Sequence, residues 1–306
     1  MGLSGVDFDL DALIALRFVA ATLDLGRGAR AREPLSGRHR SRLRGRGIDY
    51  AETRAYTPGD DIRAMDWRVT ARTGIAHSKL FREERERPLL LVVDLGATMR
   101  FGTRRAFKSV VAAEAAGLVA WAALGHGDRV GALAFDGWSR RESRPAGGRR
   151  GVLHALRVVA ACAAEQPPEH AVPTALVDAM SRAEQASRPG CLMVIVSDFY
   201  AFDAAAESRL ARISARSDLA CIHVYDALEC APPPRGRYPV TDGRRRALLD
   251  LHGTDARRRY ADGFNSRRAR LQQACRAHGA LRIGLRCGDS VVATLRRALL
   301  LKPRKQ

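Results

Sequence analysis

The apolar positions of the chain are most concentrated in the run Leu89–Val93, which the carboxylate of Asp94 follows directly. Consecutive large apolar residues without alternation are typical of a strand that is buried on both faces, as in the middle of a parallel sheet. Each such side chain contributes roughly 1.5–3 kcal/mol when it leaves water. Open α/β sheets bind their ligands outside the carboxyl ends of the strands. The pattern therefore predicts a central strand that carries Asp94 at a ligand-binding edge.

Helical and extended segments alternate after this strand. Their order and lengths predict a mostly parallel sheet with helices on both faces, the doubly wound α/β class. Three prolines at 232–234 and the turn signal Asp242-Gly243 predict a hairpin insertion near residues 231–252. The predicted helices are 104–124, 149–164, 175–186, 203–216, 255–278 and 290–301, and the predicted strands are 130–135, 191–197, 219–225 and 281–286.

The first 87 residues have a different pattern. Leu10–Leu23 carries apolar residues at helical spacing, and Arg27–Gly47 is a basic arm that contains glycine. Residues 48–87 contain short extended pieces between turn signals, including His77–Phe81. We therefore expect an N-terminal helix, arm and β-rich extension over residues 1–87, followed by an α/β domain over residues 88–306.

Charge adds a second hypothesis about partners. The 306 residues carry a formal net charge of +19 at pH 7, which directs attention to nucleic acid or an acidic protein surface. However, only 4 of the 52 basic residues are lysine, so 52 − 4 = 48 are arginine in an alanine-rich chain. That bias indicates a high-GC codon usage, and the net charge is therefore a weak indicator of function.

Composition and the N-terminus bear on the compartment. The six cysteines show neither a C-x-x-C pair nor a metal-ligand spacing, which fits a reducing environment. Asp7, Asp9 and Asp11 stand where a signal peptide needs positive charge, and the sequence shows no apolar run that approaches membrane-spanning length. We therefore expect a cytoplasmic protein without a membrane span.

Polar side chains follow the predicted strands where each strand ends. Because the carboxyl ends of parallel strands meet at one edge, we expect two carboxylates and two hydroxyls from three loops to converge there. Such hard oxygen ligands suit Mg²⁺ or Mn²⁺. Each residue also has a structural alternative as a helix or turn cap. The candidate metal ligands are Asp94, Thr98, Thr174 and Asp198.

Two motifs carry a resemblance to known families. The series Asp94-x-Gly96-x-Thr98, then Thr174 and Asp198, resembles the metal-ion-dependent adhesion site of von Willebrand factor type A domains. The segment at 54–72, RAYTPGDDIRAMDWRVTAR, and the segment at 127–131, GDRVG, resemble the signature of the bacterial domain-of-unknown-function-58 family. The resemblance implies a von Willebrand factor type A-like fold. It departs at Gly96, where the adhesion site has a serine, so that a water would have to replace one hydroxyl ligand.

The resemblance also implies a function. Relatives are commonly encoded beside MoxR-type AAA+ ATPases and are thought to act with them as adaptors that assemble or mature protein complexes. In type A domains the bound metal keeps one coordination position for an acidic residue of the partner. We therefore expect a non-enzymatic adaptor that acts with a MoxR-type ATPase and protein clients, through this site or its degenerate remnant.

Other function classes stay open. The arginine-rich segments 38–46, 235–246 and 257–270 would suit nucleic acid, whose binding weakens steeply as salt rises. A metal-dependent hydrolase built on Asp94 and Asp198 would lack an evident general base. The sequence contains neither G-x-S-x-G nor H-E-x-x-H, and Phe107 stands where a phosphate-binding loop at 102–109 needs glycine.

Acids and arginines are interleaved beside Trp67 in the segment Gly59–Arg72. Such alternation is more typical of an ion-paired seam that holds an extension to its domain than of a catalytic cluster. We therefore expect a structural role for Asp66, and we expect its replacement by alanine to lower the melting temperature.

Overall fold

The computed structural model describes residues 5–23, 48–57, 62, 65–83, 86–164, 176–241 and 246–300. The chain divides into two compact units, one of residues 33–86 and one of residues 1–32 together with 87–306. The expected domain of residues 1–87 is therefore divided, because the N-terminal helical segment groups with the α/β unit. The basic arm, which includes the arginine-rich segment 38–46, lies outside the described residues.

The N-terminal segment forms two short helices, α1 (Leu10–Ala15) and α2 (Arg17–Ala20), instead of one. Asp9 caps α1 through its side chain. Leu13 is fully buried, and its carbonyl oxygen accepts a hydrogen bond from the indole Nε1 of Trp121 at 3.0 Å. These contacts attach the segment to the α/β unit.

The smaller unit contains two antiparallel strands, β1 (Ile48–Ala55) and β2 (His77–Glu83), with helix α3 (Trp67–Thr73) between them in sequence. The extended pieces match the expectation, whereas α3 was not predicted. Asp66 is the N-cap of α3, and Gly74 follows the helix in the left-handed conformation, which glycine adopts without steric cost.

The α/β unit contains a six-stranded sheet with the order β10-β7-β6-β3-β4-β5 and a separate hairpin of β8 and β9. All neighbours in the large sheet are parallel except β4 and β5. This arrangement confirms the mostly parallel α/β class. The elements are β3 (Pro88–Asp94), α4 (Lys108–Gly125), β4 (Arg129–Phe135), β5 (Arg140–Ala146), α5 (Gly148–Ala163), α6 (Leu176–Ala186), β6 (Leu192–Ser197), α7 (Ala204–Arg216), β7 (Asp218–Tyr225), α8 (Ala227–Cys230), β8 (Arg237–Thr241), β9 (Arg246–Asp250), α9 (Thr254–Ala277), β10 (Leu281–Arg286) and α10 (Val291–Leu300).

The central strand β3 is buried on both faces, as its sequence predicts. Leu89, Leu91 and Val93 pack into one apolar cluster with α1, α4, α5 and α10. Leu90 and Val92 pack into a second cluster with α6, α7 and α9. Because successive side chains of a strand point to opposite faces, one apolar run fills both cores and fixes Asp94 at their common edge.

Strand β5 and the start of helix α4 also differ from the sequence-based expectation. Strand β5 was not predicted because its sequence, RRESRPA, is polar; it lies at the sheet edge, where only Ser143 is buried. Helix α4 begins at Lys108 instead of residue 104, because the chain first makes a turn in which the backbone N–H of Lys108 donates to the carbonyl oxygen of Phe101 at 2.8 Å.

Helix α4 has the length and composition of a membrane span. Its 18 residues have a mean hydropathy of 1.3, and it is the one helix in the described parts of the chain that meets both criteria. The sequence-based expectation of no such run was therefore wrong for this helix. However, 89% of it is buried inside the α/β unit, as in the core helix of a globular fold.

Candidate functional site at the carboxyl edge of the sheet

Asp94 ends β3 and is almost completely buried. Its Oδ1 accepts a hydrogen bond from the backbone N–H of Gly96 at 2.9 Å, and its Oδ2 accepts one from the hydroxyl of Ser197 at 2.6 Å. Burial, with repulsion from the carboxylate of Asp198, raises the pKa of Asp94 to about 7. Asp94 is therefore held by neighbouring protein groups in a site where its negative charge is disfavoured.

The loop after β6 positions Asp198. The hydroxyl of Ser197 accepts the N–H of Phe199 at 2.9 Å, and Oδ1 of Asp198 accepts the N–H of Tyr200 at 2.9 Å. Phe199 has a φ of 51°, a left-handed conformation that is unfavourable for a residue with a side chain. Its ring is buried and makes an edge-on contact with Phe202. Apolar burial and local hydrogen bonds together fix this turn.

Lys108 supplies the positive charge of the site. Its side chain is only 1% exposed, and its Nζ donates to Oδ2 of Asp198 at 2.7 Å and to Oε1 of Glu229 at 2.8 Å. Burial alone would lower the pKa of Lys108, but the two carboxylates outweigh it and raise the pKa above its ordinary value. The ammonium therefore stays charged inside the protein.

A further acid, Asp226, links the loops after β3 and β7. Asp226 accepts hydrogen bonds from the hydroxyl of Thr103 at 2.6 Å and from its backbone N–H at 3.1 Å. Asp226 also caps α8, and the backbone N–H of Asp226 donates to the second carboxylate oxygen of Glu229 at 2.8 Å. The acids and Lys108 thus connect the loops that follow β3, β6 and β7.

The structure brings together two of the four predicted ligands, Asp94 and Asp198. Thr98 is exposed on a short 3-10 turn, and Thr174 lies outside the described residues. Gly96 lies beside Asp94, where an added Cβ would be 3.1 Å from Oδ1 of that carboxylate. The site assignment as a whole stays a prediction.

Sequence reasoning missed Lys108 and Glu229. Lys108 had a visible signal, because it is one of four lysines among 52 basic residues and it stands directly before the most apolar helical run of the chain. A charged residue at such a position has to find a partner or stay at the surface. Glu229 lies in a short turn of helix with no periodic pattern, and nothing in the sequence indicates its position.

The residues present do not fit a hydrated Mg²⁺ or Mn²⁺. Mg²⁺ needs near-octahedral oxygen ligands at about 2.0–2.1 Å, whereas the ammonium of Lys108 already lies 2.7 Å from Asp198. A cation on the same carboxylate would face a second positive charge in surroundings that screen repulsion poorly. Gly96 supplies no hydroxyl, and the described part of the chain contains no group of three His, Cys, Asp or Glu side chains that could hold a metal.

A small pocket beside the ion pair of Lys108 is lined by aromatic, basic and acidic side chains, the acids being Asp198 and Glu229. The ring of His223 stacks on Phe264 with centroids 6.0 Å apart, and its Nδ1 lies 3.2 Å from Nη2 of Arg282. Burial, with repulsion from Arg282, lowers the pKa of His223 to about 3. At the rim, Tyr200 is 56% exposed, and the guanidinium of Arg267 lies 4.6 Å from the centre of its ring.

The fold and this edge define a class: a mostly parallel α/β protein with a buried, lysine-bridged carboxylate site at the carboxyl ends of its strands. The chain belongs to the family described as Protein of unknown function DUF58, whose model matches residues 52–270. This finding confirms the resemblance to the domain-of-unknown-function-58 family, and the von Willebrand factor type A-like part stays a prediction.

The chain also resembles several known proteins in sequence or in structure. The chain is 31% identical over 253 residues to uncharacterized proteins of Mycobacterium bovis and Mycobacterium tuberculosis, covering 82% of this chain and 78% of theirs. Similar solved structures include the conserved hypothetical protein BatB from Bacteroides thetaiotaomicron (12% identity, TM-score 0.34, 63% of this chain and 98% of that one). Another is an aerotolerance-related membrane protein from Bacteroides fragilis (13% identity, TM-score 0.36, 62% and 99%).

Proposed function

We propose that this protein is a non-enzymatic adaptor that recognises other proteins through the carboxyl edge of its sheet. The observation that carries the proposal is the aromatic and arginine pair at that edge, in which the half-buried Arg267 places its guanidinium over the ring of the exposed Tyr200. Tyrosine and arginine are enriched among the residues that dominate protein interfaces. Phe101, which is 36% exposed, lies on the loop after β3 and belongs to the same edge.

The buried polar groups support recognition over catalysis. A nucleophile or general base must be within hydrogen-bond reach of its substrate. Lys108 and Asp198 bond to each other with side chains that are 1% and 4% exposed, and Asp94 is engaged by Ser197 and Gly96. These groups are held in fixed pairs beneath the surface. Such pairs can support a binding edge structurally, but they are not placed to react with a substrate.

The partner in this proposal is a MoxR-type AAA+ ATPase, with which the protein assembles or matures complexes of client proteins in the cytoplasm. The resemblance of residues 54–72 to the family signature is the basis for naming this ATPase. An ATPase supplies force and needs a separate module that selects clients. A rigid edge with exposed aromatic and basic side chains is suited to that selection.

The test is a binding titration of the purified full chain on an immobilised MoxR-type ATPase of the source bacterium, by biolayer interferometry with and without ATP. We expect Tyr200→Ala and Arg267→Ala each to weaken binding by about tenfold or more, about 1.4 kcal/mol, because both remove the edge contact.

The matched control is Arg258→Ala, which removes an exposed arginine of the same helix α9 that pairs with Asp255. We expect it to leave the affinity unchanged within about twofold. Absence of binding at about 100 μM, a concentration that detects even weak complexes, would refute the proposal. Equal affinity of wild type and both edge variants would place the interface elsewhere.

A second candidate function is nucleic-acid binding, which the surface of α9 favours. The helix exposes a series of arginines, namely Arg258, Arg259, Arg268, Arg270 and Arg276. Neutralised phosphates release counterions, so such binding would fall by orders of magnitude between about 50 and 200 mM salt. A filter-binding titration at those two concentrations separates this function from protein recognition, in which contacts are only partly screened.

A further inference from the structure

The ammonium of Lys108 lies where the chain concentrates negative charge at the carboxyl edge. It contacts Asp198 at 2.7 Å and Glu229 at 2.8 Å, and the side chains of these acids are 4% and 19% exposed. Because Asp198 is almost completely buried, little water screens its repulsion with the partly exposed carboxylate of Glu229 unless a cation lies between them. The lysine side chain meets that requirement from inside the protein.

Lys108 also joins separate loops, as a metal ion does in a binding site built from strand ends. Asp198 belongs to the loop after β6, and Glu229 belongs to α8 after β7. Lys108 itself is the first residue of α4, a helix that is buried as far as Ala123. The position of the ammonium is therefore set by the core, and no ion from solution is needed to hold these loops together.

We propose that Lys108 replaces the divalent cation at this edge and that the site works without metal in the native protein. The replacement explains two departures from the pattern of the metal-ion-dependent adhesion site. Gly96 provides no hydroxyl ligand because no metal has to be ligated, and Glu229 approaches Asp198 because both share one ammonium. The proposal concerns the isolated chain, so its test is independent of any protein partner.

The test compares wild type, Gly96→Ser, Lys108→Met and the double variant for binding of Mn²⁺. The free-ion signal in electron paramagnetic resonance measures bound Mn²⁺, and the melting temperature with and without about 1 mM MnCl₂ measures stabilisation by the ion. We expect wild type and Gly96→Ser to bind no stoichiometric Mn²⁺ and to shift by less than about 1 °C. We expect Lys108→Met and the double variant to bind Mn²⁺ measurably through the two carboxylates of Asp198 and Glu229, with water in the remaining positions, and to melt at a higher temperature with the ion.

Gly96→Ser separates the two explanations for an absent metal. If the missing hydroxyl excluded the ion, serine alone would restore binding, and the role of Lys108 would be refuted. Stoichiometric Mn²⁺ on the wild type that is lost in Asp94→Ala would also overturn the proposal. A folded Lys108→Met variant that binds no ion would show that the space left by the lysine is not a cation site, which also contradicts it.

Two further variants provide a fallback and a control for this experiment. Lys108→Met combined with Glu229→Gln leaves one unpaired carboxylate instead of two. This double variant replaces Lys108→Met in the experiment if the single variant does not fold. Arg105→Met is the matched control, since it removes a cation near the start of the same helix that pairs with Glu114 at 2.9 Å. It should gain no Mn²⁺ binding, because Asp198 keeps its lysine.

Discussion

Two ion pairs connect elements of the α/β unit and differ in how much water reaches them. Lys108 and Asp198, 2.7 Å apart, have side chains that are 1% and 4% exposed. Arg209 of α7 and Glu184 of α6, 3.2 Å apart, are 33% and 18% exposed. The chemistry is similar, but removing the cation leaves an almost fully buried carboxylate in the first case and a carboxylate that water partly reaches in the second. Burial therefore decides which charges the fold depends on.

Lys108→Met should have the largest effect on stability. Removing one partner of a buried ion pair costs roughly 3–5 kcal/mol, because the other charge stays buried without compensation. Urea unfolding followed by circular dichroism in metal-free buffer measures the loss. Arg209→Met provides the comparison, and a loss of less than about 1 kcal/mol in Lys108→Met would show that water reaches Asp198.

His223→Phe tests a group that the fold keeps uncharged. The pKa of His223 is about 3 in the folded protein, whereas an unperturbed histidine, as in the unfolded chain, has a pKa of 6.5. Between these two values the unfolded chain binds a proton that the folded protein does not. The contribution of His223 to wild-type stability therefore falls as pH decreases below about 6.5, by about 2 kcal/mol at pH 5. Above that pH the histidine contributes no pH dependence. Phenylalanine does not titrate and keeps the stack on Phe264.

The measurement is urea unfolding of both proteins at pH 7.5 and pH 5. The charged groups that act on His223 are Arg282, Asp198, Lys108 and Arg268, and all of them are present in both proteins. The difference between the two proteins therefore isolates the histidine. An equal loss of stability in wild type and variant on acidification would contradict the prediction.

Asp66→Ala addresses a carboxylate that pairs with backbone groups. Asp66 accepts from the N–H groups of Arg68 and Val69 at 3.2 Å and thereby caps α3. We expect a loss of about 1 kcal/mol, as for other N-cap deletions. Differential scanning calorimetry measures the melting temperature. Asp66→Asn is the control because asparagine caps equally well, and an equal decrease in both variants would mean that the charge matters more than the cap.

Arg209→Met should have the smallest effect. We expect a change below about 1 kcal/mol, because water replaces the guanidinium beside Glu184. Urea midpoints at about 0.1 and 1 M NaCl measure it, and salt should reduce the difference further, since the Debye length decreases from about 10 to 3 Å. A loss as large as that of Lys108→Met would remove the distinction between the two pairs.

Apolar patterning predicted most of the fold. Strands β3, β6 and β7 are continuous runs of buried, mostly apolar residues, and these runs are sufficient to place the strands. The polar edge strand β5 escaped prediction because a strand with one covered edge needs few apolar residues. Helix α3 escaped because seven residues, WRVTART, with an exposed tryptophan, give no amphipathic period.

The candidate site was predictable only where strand ends define it. Asp94 and Asp198 follow buried parallel strands, so topology alone brings them to one edge. Lys108 and Glu229 reach the same place from a helix start and a short turn of helix, whose positions depend on tertiary packing. A sequence pattern records which residues are buried along one element, but it does not record which elements meet.

The attachment of Lys108 to a core helix also determines how this site obtains its cation. A metal site is filled according to the concentration of its ion, and it empties on dilution or chelation. The ammonium at the first turn of α4 is tethered to its carboxylates, so its effective concentration is set by the chain itself and does not depend on the ionic composition of the cell. The loops at this edge are therefore ready for use as soon as the chain has folded.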